Sequence, residues 1–256
     1  MKTTRLIHWW ANHGWLVGMV AAAVAVIVLR FFPAVFQGQT LVFGDNYSLM
    51  VPGKIFTANW LKHGILPLWN PLIFSGLPWL ADINQSVLYF TTAFFVWFHP
   101  ATALNLTIMS HWLIAFIGAY LLGRFWTKQH WLGLVAGSLW MLSTQVTGSS
   151  NNFSTLQSIV WLPLIAFFGL QLRSHWWAMA GFAIAILAEF LGGYPQHVVY
   201  AILAAVWLSV VWEFGPKSPR ISPTKLRVRV VKWLKLWIVT GLVTVGLSAM
   251  AWVPFV

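Results

Sequence analysis

Cysteine and acidic residues are the chemical groups that this sequence lacks or nearly lacks. The chain contains no cysteine, which excludes disulfide bonds and thiolate metal ligands. Only 4 of its 256 residues are Asp or Glu, against 15 Lys and Arg, so the formal net charge is +11. The sequence has neither a glycine-rich phosphate-binding loop nor a pair of His or carboxylate residues at helical spacing. These absences argue against a nucleotide site and against a metal site on one helix.

The apolar composition indicates a membrane protein. Hydrophobic residues make up 59% of the chain, charged residues only 7%, and 19 residues are Trp. Apolar stretches near the roughly 20 residues that cross a ~30 Å hydrocarbon core recur, and they show no strand-like alternation. The sequence therefore predicts an all-α, polytopic transmembrane helix bundle of about seven spans. The predicted spans are 14–33, 101–123, 131–148, 154–172, 175–192, 195–214 and 232–253.

The region 34–100 is predicted to form a large first loop on the non-cytoplasmic side. It contains two segments of helical character, Tyr47 to Lys62 and Gln85 to Phe98. The second segment is only about 14 residues long, which is too short to cross, so we expect a juxtamembrane helix that lies at the interface.

Basic residues support this topology, because Lys and Arg near short loops accumulate on the cytoplasmic side. With the N-terminus in the cytoplasm, twelve of the fifteen basic residues fall on that side, and Arg30, Lys54 and Lys62 do not. The topology also explains the positive charge through attraction to anionic lipid, so nucleic-acid binding needs no separate argument. The twelve are Lys2, Arg5, Arg124, Lys128, Arg173, Lys217, Arg220, Lys225, Arg227, Arg229, Lys232 and Lys235.

Three of the four acids, Asp45, Asp82 and Glu189, fall on the outer side in this topology, and Glu213 falls on the inner side. Ionised groups at membrane depth are costly and are usually functional, so the three outer acids are candidate site residues. A structural role is also open for each of them. Asp45 can cap a helix, Asp82 can cap a helix that begins near Asn84, and Glu189 can pair with a polar group in the bundle.

An outer carboxylate is suited to act as general base toward a hydroxyl group that attacks a sugar carbon. The departing group would then be a lipid phosphate, which requires cations or backbone N–H donors. Cations for this phosphate are available near the outer side at Lys54, Lys62, Arg30 and His63. Such side chains also extend to lipid headgroups without a further role. Trp60, Trp69 and Trp79 can stack on sugars, but an interfacial aromatic belt explains them equally well.

Several sequence motifs resemble those of the YfhO-like family of bacterial membrane proteins, whose fold is that of the GT-C glycosyltransferases. The most specific is GILPLWNPLIFSGLPWLAD at 64–82, with GD at 44–45 before it and LY at 88–89 after it. TGSSNN at 147–152, WLPL at 161–164 and GGYPQH at 192–197 follow in the expected order. The chain departs from the family pattern at Phe90, where Pro is usual, and at Tyr194, where His is common.

The resemblance implies that residues 1–256 form one GT-C-like module with two juxtamembrane helices in its first outer loop. It also implies that this module is the N-terminal part of a longer chain. Asp45 corresponds to the catalytic aspartate of the family, and Asp82 ends the loop motif. We predict Asp45 and Asp82 as catalytic residues. The predicted substrate-binding residues are Lys54, Trp69, Asn70, Glu189, Tyr194, Gln196 and His197.

The function that these observations predict is sugar transfer from a polyprenyl-phosphate donor to a polymer or protein of the cell envelope. It would take place at the outer face of a bacterial plasma membrane. Metal use stays open, because Asp45 and Asp82 can share a divalent cation only if folding brings them together. A lipid or polyol transporter, and a noncatalytic scaffold with the GT-C shape, are the alternatives.

Overall fold

The structure is a computed structural model, and it describes residues 39–40, 44–215 and 223–252. The predicted span 14–33, with Arg30, lies outside these residues, as do Lys2, Arg5, Lys217 and Arg220. In the described ranges the regular structure is helical, and one antiparallel bridge joins Asn70 to Leu77. The all-helical prediction is therefore confirmed.

The first helical segment of the loop region is present as predicted. A π-helical turn, Asn46–Met50, continues directly into helix α1, Val51–Lys62. Trp79, which is 1% exposed, packs on the inner face of α1, and its Nε1 donates a hydrogen bond to Thr57 Oγ1 at 2.8 Å. A Cβ atom added at Gly53 would lie 3.2 Å from the Trp79 ring, so glycine allows α1 and this ring to pack closely. The GLPW motif thus supplies the core beneath α1.

The predicted helix from Gln85 to Phe98 is wrong in its first half. A short 3-10 turn, Ile83–Gln85, ends at Ser86 with φ 48°, and only helix α2, Thr92–Trp97, follows. The chain leaves the helix because the Ser86 carbonyl accepts a hydrogen bond from Lys54 Nζ at 2.8 Å, and the Ser86 hydroxyl donates one to Gly192 O at 2.9 Å. A helix of six residues is about 9 Å long, which is too short to cross a bilayer.

The bundle proper consists of the helices that follow α2. Pro100 and Pro195 each begin a long helix, where the missing backbone N–H of proline costs nothing. These helices are α3 (Pro100–Thr127), α4 (His130–Met141), α5 (Thr144–Gly148), α6 (Phe153–Ile159), α7 (Leu162–Gln171), α8 (Trp177–Leu191), α9 (Pro195–Phe214) and α10 (Pro223–Trp252).

Two predicted spans are interrupted. The span predicted at 131–148 breaks after α4, because Ser143 adopts an extended conformation and its hydroxyl accepts a hydrogen bond from Val146 N at the start of α5. The span predicted at 154–172 consists of α6 and α7, which meet at the turn Val160–Trp161. Side-chain capping inside an apolar stretch thus shortens a helix that hydropathy alone would extend.

Three helical segments of the described chain are long and apolar enough to cross a membrane. They are Pro100–Thr127, Phe153–Gln171 and Pro195–Phe214, and the apolar helix Trp177–Leu191 is shorter. The structure thus supports a membrane protein, while the count of seven spans stays a prediction.

Asp45 and Arg173 lie at opposite ends of the bundle. Asp45 contacts Asn152, which begins α6, whereas Arg173 follows the end of α7. The 19 residues of Phe153–Gln171 cover about 28 Å at the rise of an α-helix, close to the thickness of a hydrocarbon core. Lys128 lies at the Arg173 end, since its Nζ is 5.8 Å from the ring centroid of Trp212 in the last turns of α9.

Glycines allow α3 and α4 to approach each other closely. A Cβ atom at Gly137 would lie 2.8 Å from Phe116 O, and one at Gly133 would lie 2.9 Å from Tyr120 O. Backbone atoms cannot move aside as a flexible side chain can, so larger residues do not fit at this interface.

We expect Gly137→Val to lower the free energy of unfolding by about 1–3 kcal/mol, because the added side chain overpacks the α3–α4 contact. Thermal unfolding of the detergent-purified protein measures the change as a lower Tm. Gly241→Val is the matched control, since Gly241 also lies in a helix but has no atom within 4 Å of an added Cβ. Equal Tm values for the two variants would contradict this account of the interface.

Candidate functional site

Asp45 is an exposed carboxylate that a neighbouring turn holds in place. Asn152 Nδ2 donates a hydrogen bond to Asp45 Oδ2 at 2.8 Å. Asn46, the next residue, is fully buried, and its Nδ2 donates to Ser150 O at 2.8 Å. The GD segment of the first loop is therefore docked on the TGSSNN turn, which lies more than 100 residues away in the sequence.

Asn152 is itself fixed in orientation. Its Oδ1 accepts a hydrogen bond from Thr155 N at 3.1 Å, which caps the start of α6. With its oxygen committed to the cap, the amide directs its nitrogen at Asp45. One carboxylate oxygen of Asp45 is thus held by a rigid helix end, while the side chain stays exposed to solvent.

Asp82 has the capping role that the sequence left open. Its Oδ1 accepts a hydrogen bond from Asn84 N at 3.2 Å, and its Oδ2 accepts one from Gln85 Nε2 at 2.7 Å. Both carboxylate oxygens therefore stabilise the turn that leads into Ser86. These bonds explain the position of Asp82 without a catalytic role, and its direct part in catalysis stays a prediction.

The Asp45, Asp82 and Tyr194 segments are connected at the same end of the bundle by contacts around α6. Ser154 Oγ donates to Asn84 O at 3.0 Å, and Ser158 Oγ accepts from Tyr194 N at 3.2 Å. Gly193 has φ 100°, and an added Cβ there would lie 2.6 Å from Ser86 Oγ. Loop segments that are distant in the sequence thus converge on one surface.

Lys54 lies inside the protein rather than on that surface. It is 3% exposed, and its Nζ donates to Ser86 O at 2.8 Å and to Thr92 Oγ1 at 2.9 Å. Burial lowers the pKa of Lys54 to about 7 from its ordinary value of 10.5. In this position the ammonium holds the Ser86 turn against α2 instead of facing a substrate.

A buried polar network that the sequence analysis missed lies below the surface. Tyr89 Oη is 2.8 Å from His111 Nε2, and Trp161 Nε1 donates to Tyr89 Oη at 3.0 Å. His111 Nδ1 lies 2.6 Å from Thr107 O, which can only accept, so the imidazole proton is at Nδ1 and Nε2 accepts from Tyr89. Burial raises the pKa of Tyr89, which keeps the phenol neutral and able to donate.

Three signals in the sequence could have revealed this network. Tyr89 belongs to the LY motif and Trp161 to the WLPL motif, while His111 is a polar residue inside a predicted span. Nothing in their spacing shows that the three residues meet.

Glu189 is fully buried at the end of α8, where the Ser158 hydroxyl donates to its backbone carbonyl at 3.2 Å. Neither of its carboxylate oxygens has a hydrogen-bond partner within residues 39–40, 44–215 and 223–252. Burying such a group without partners is costly, so Glu189 remains a candidate functional residue.

The remaining predicted residues have mixed environments. Trp69 is 53% exposed and covers Gly76, whereas Asn70 is buried and its Oδ1 accepts from Leu72 N at 2.9 Å. Gln196 is exposed at the start of α9, Tyr194 is half-buried, and His197 is buried with its ring centroid 4.7 Å from that of Tyr194. Trp69, Tyr194 and Gln196 are thus accessible, while Asn70 shapes the loop.

No group of three or more His, Asp or Glu residues that could hold a metal ion occurs in the described parts of the chain. Asp45 and Asp82 each accept a hydrogen bond from a side-chain amide. Neither bond requires a metal ion, so the sharing of a divalent cation by the two carboxylates stays a prediction.

Within the described residues, the fold and the site define a helical protein with three candidate membrane-spanning segments and a polar surface at one end. No protein-family model, curated protein or solved structure matches this chain. The resemblance to the YfhO-like family therefore rests on the sequence motifs alone.

The low pKa of Lys54 predicts that the free energy of unfolding rises with pH. The unfolded lysine keeps its proton up to about pH 10.5, whereas the folded one loses it above about pH 7, so the unfolded state binds more protons between these values. We expect Tm to rise over this range, and Lys54→Met to flatten the rise.

Thermal unfolding of the detergent-purified protein at several pH values between 6.5 and about 10 measures this dependence. Lys62→Met is the control, because Lys62 is an exposed lysine in the same helix. If Lys54→Met and wild type show the same pH dependence, Lys54 does not titrate in this way.

Proposed function

We propose that this protein is a GT-C-type glycosyltransferase that transfers a sugar from a polyprenyl-phosphate donor to an acceptor of the bacterial cell envelope. The observation that carries the proposal is the geometry of Asp45. Its carboxylate is exposed, is oriented by Asn152 at 2.8 Å, and lies at the end of the bundle opposite Arg173. A fixed carboxylate at the edge of a bilayer is suited to activate a hydroxyl group.

The segregation of charge supports the orientation that we propose in the plasma membrane. Arg124, Lys128 and Arg173 lie at one end of the bundle, and Asp45 and Asp82 lie at the other. Positive residues favour the cytoplasm, so the Asp45 end is assigned to the extracytoplasmic face, with the N-terminus inside. A lipid-linked donor would present its sugar at that face.

In the proposed reaction, the acceptor hydroxyl attacks the anomeric carbon from the side opposite the phosphate. The new glycosidic C–O bond forms while the C–O bond to phosphate breaks, and the bonding electrons leave with the polyprenyl phosphate. Asp45 accepts the hydroxyl proton. This single displacement inverts the anomeric centre and needs no redox partner.

The start of α9 is the element best suited to receive the donor phosphate. Its first turn carries the positive end of the helix dipole, and Gln196 is exposed there, while Pro195 has no backbone N–H and His197 N donates to Tyr194 O at 3.0 Å. Tyr194 and Trp69 are accessible aromatic residues that can contact the sugar. Lys54 and Asp82 support the loop that carries these groups rather than contact the substrate.

We expect Asp45→Asn to reduce sugar transfer about 100-fold or more, because the amide cannot accept the proton. The assay is transfer of label from a panel of radiolabelled polyprenyl-phosphate hexoses in proteoliposomes that contain the purified protein. Asp82→Asn is the matched control, since asparagine still accepts from Asn84 N and loses only the acceptor for Gln85 Nε2, so it should preserve most activity. Turnover by Asp45→Asn equal to wild type would refute the role of Asp45.

Transport is a second candidate function, and the buried polar groups favour it. Lys54, His111 and Glu189 are ionisable and enclosed, a pattern that occurs along ion and substrate pathways in membrane proteins. The test is uptake of a polyol or a lipid headgroup by the same proteoliposomes. Uptake that is lost in the Glu189→Gln variant, with no transfer of sugar label by the wild type, would favour transport.

A further inference from the structure

A groove lies at the end of the bundle opposite Asp45, where α9 ends beside α10. Its volume is about 380 Å³, and its charged lining consists of Arg173, Glu213, Arg229 and Lys232. Three cationic groups thus face one acidic group, which gives the groove a positive charge. Neither the predicted catalytic residues nor the buried polar network reach this part of the molecule.

Internal contacts fix the shape of the groove. The Arg173 guanidinium forms an ion pair with the Glu213 carboxylate, and Arg229 Nη1 donates to Glu213 O at 3.4 Å. Trp233 Nε1 donates to Ser209 Oγ at 3.2 Å, which sets the indole ring as a wall. The lining thus carries one negative charge, on Glu213, and three positive charges, on Arg173, Arg229 and Lys232.

The rest of the lining is apolar, and so are the neighbouring faces of α10. Leu172, Val228 and Leu236 line the groove, while Val231 and Leu234 are exposed between the basic residues of α10. A free anion would contact the cationic side chains but would leave these apolar surfaces uncovered. A molecule with an anionic head and apolar chains would use both.

The position along the bundle agrees with such a ligand. Glu213 lies at the end of α9, whose 20 residues extend about 30 Å from the surface that contains Gln196. That distance places the groove at the opposite membrane–water interface, where lipid phosphates lie.

We propose that the groove lined by Arg173, Arg229, Lys232 and Trp233 binds the phosphate headgroup of an anionic phospholipid, with the acyl chains against the apolar flank of α10. Guanidinium and ammonium groups donate to the phosphate oxygens, and Trp233 contacts the glycerol region. This inference does not depend on the activity proposed above.

Binding of phosphatidylglycerol to the detergent-purified full chain tests the proposal, with native mass spectrometry to count bound lipids and Tm to follow stabilisation. We expect phosphatidylglycerol to bind more tightly than phosphatidylcholine, and Arg229→Gln/Lys232→Gln to weaken its binding about tenfold or more. Arg227→Gln/Lys235→Gln is the control, because it removes the same charge from exposed positions of α10 outside the lining.

Equal losses in the two double variants would overturn the proposal, since they would indicate attraction to overall charge. Equal binding of the two lipids would overturn it as well. If inorganic phosphate at millimolar concentration displaced phosphatidylglycerol completely, the groove would be a site for a free anion instead. If Arg229→Gln/Lys232→Gln does not fold, the control variant Arg227→Gln/Lys235→Gln decides. A preference for phosphatidylglycerol that persists in the control variant supports the proposal, and loss of that preference refutes it.

Discussion

The turn at Ser86 is the constraint on which the arrangement of the candidate site depends. Its carbonyl accepts from Lys54 Nζ at 2.8 Å, and its hydroxyl donates to Gly192 O at 2.9 Å, so it joins α1 to the α8–α9 turn. Buried polar groups need partners, which makes this double connection hard to rearrange. Because Asn46 to Lys62 is one continuous helical segment, the anchor at Lys54 also sets where Asp45 lies.

The molecule separates two polar environments that have different physical roles. Tyr89, His111 and Trp161 form an enclosed network in which each hydrogen bond satisfies a group that water cannot reach. Asp45 is by contrast exposed to solvent at one end of the bundle. The Asn152 amide, whose own oxygen caps α6, holds one oxygen of that carboxylate in place.

Local signals allowed part of the fold to be predicted, and they failed where distant residues compete for the backbone. The span predicted at 195–214 coincides with Pro195–Phe214, because proline and glycine bound a uniformly apolar stretch. The first half of the helix predicted at Gln85–Phe98 is wrong because Ser86 is hydrogen-bonded to residues 32 and 106 positions away. At the site, Asp82 was recognisable as a cap from its own neighbours, whereas the partnership of Asp45 with Asn152 was not.

The sequence by itself determined the helical, membrane-spanning class of the protein and the short set of acids among which a reactive carboxylate could be sought. These properties follow from composition and hydropathy, which act locally along the chain. Only the tertiary structure decided that Asp45 is exposed, that Glu189 is enclosed and that Lys54 supports a turn. Burial and hydrogen-bond partners arise from contacts between segments far apart in the chain, and the spacing of residues carries no record of those contacts.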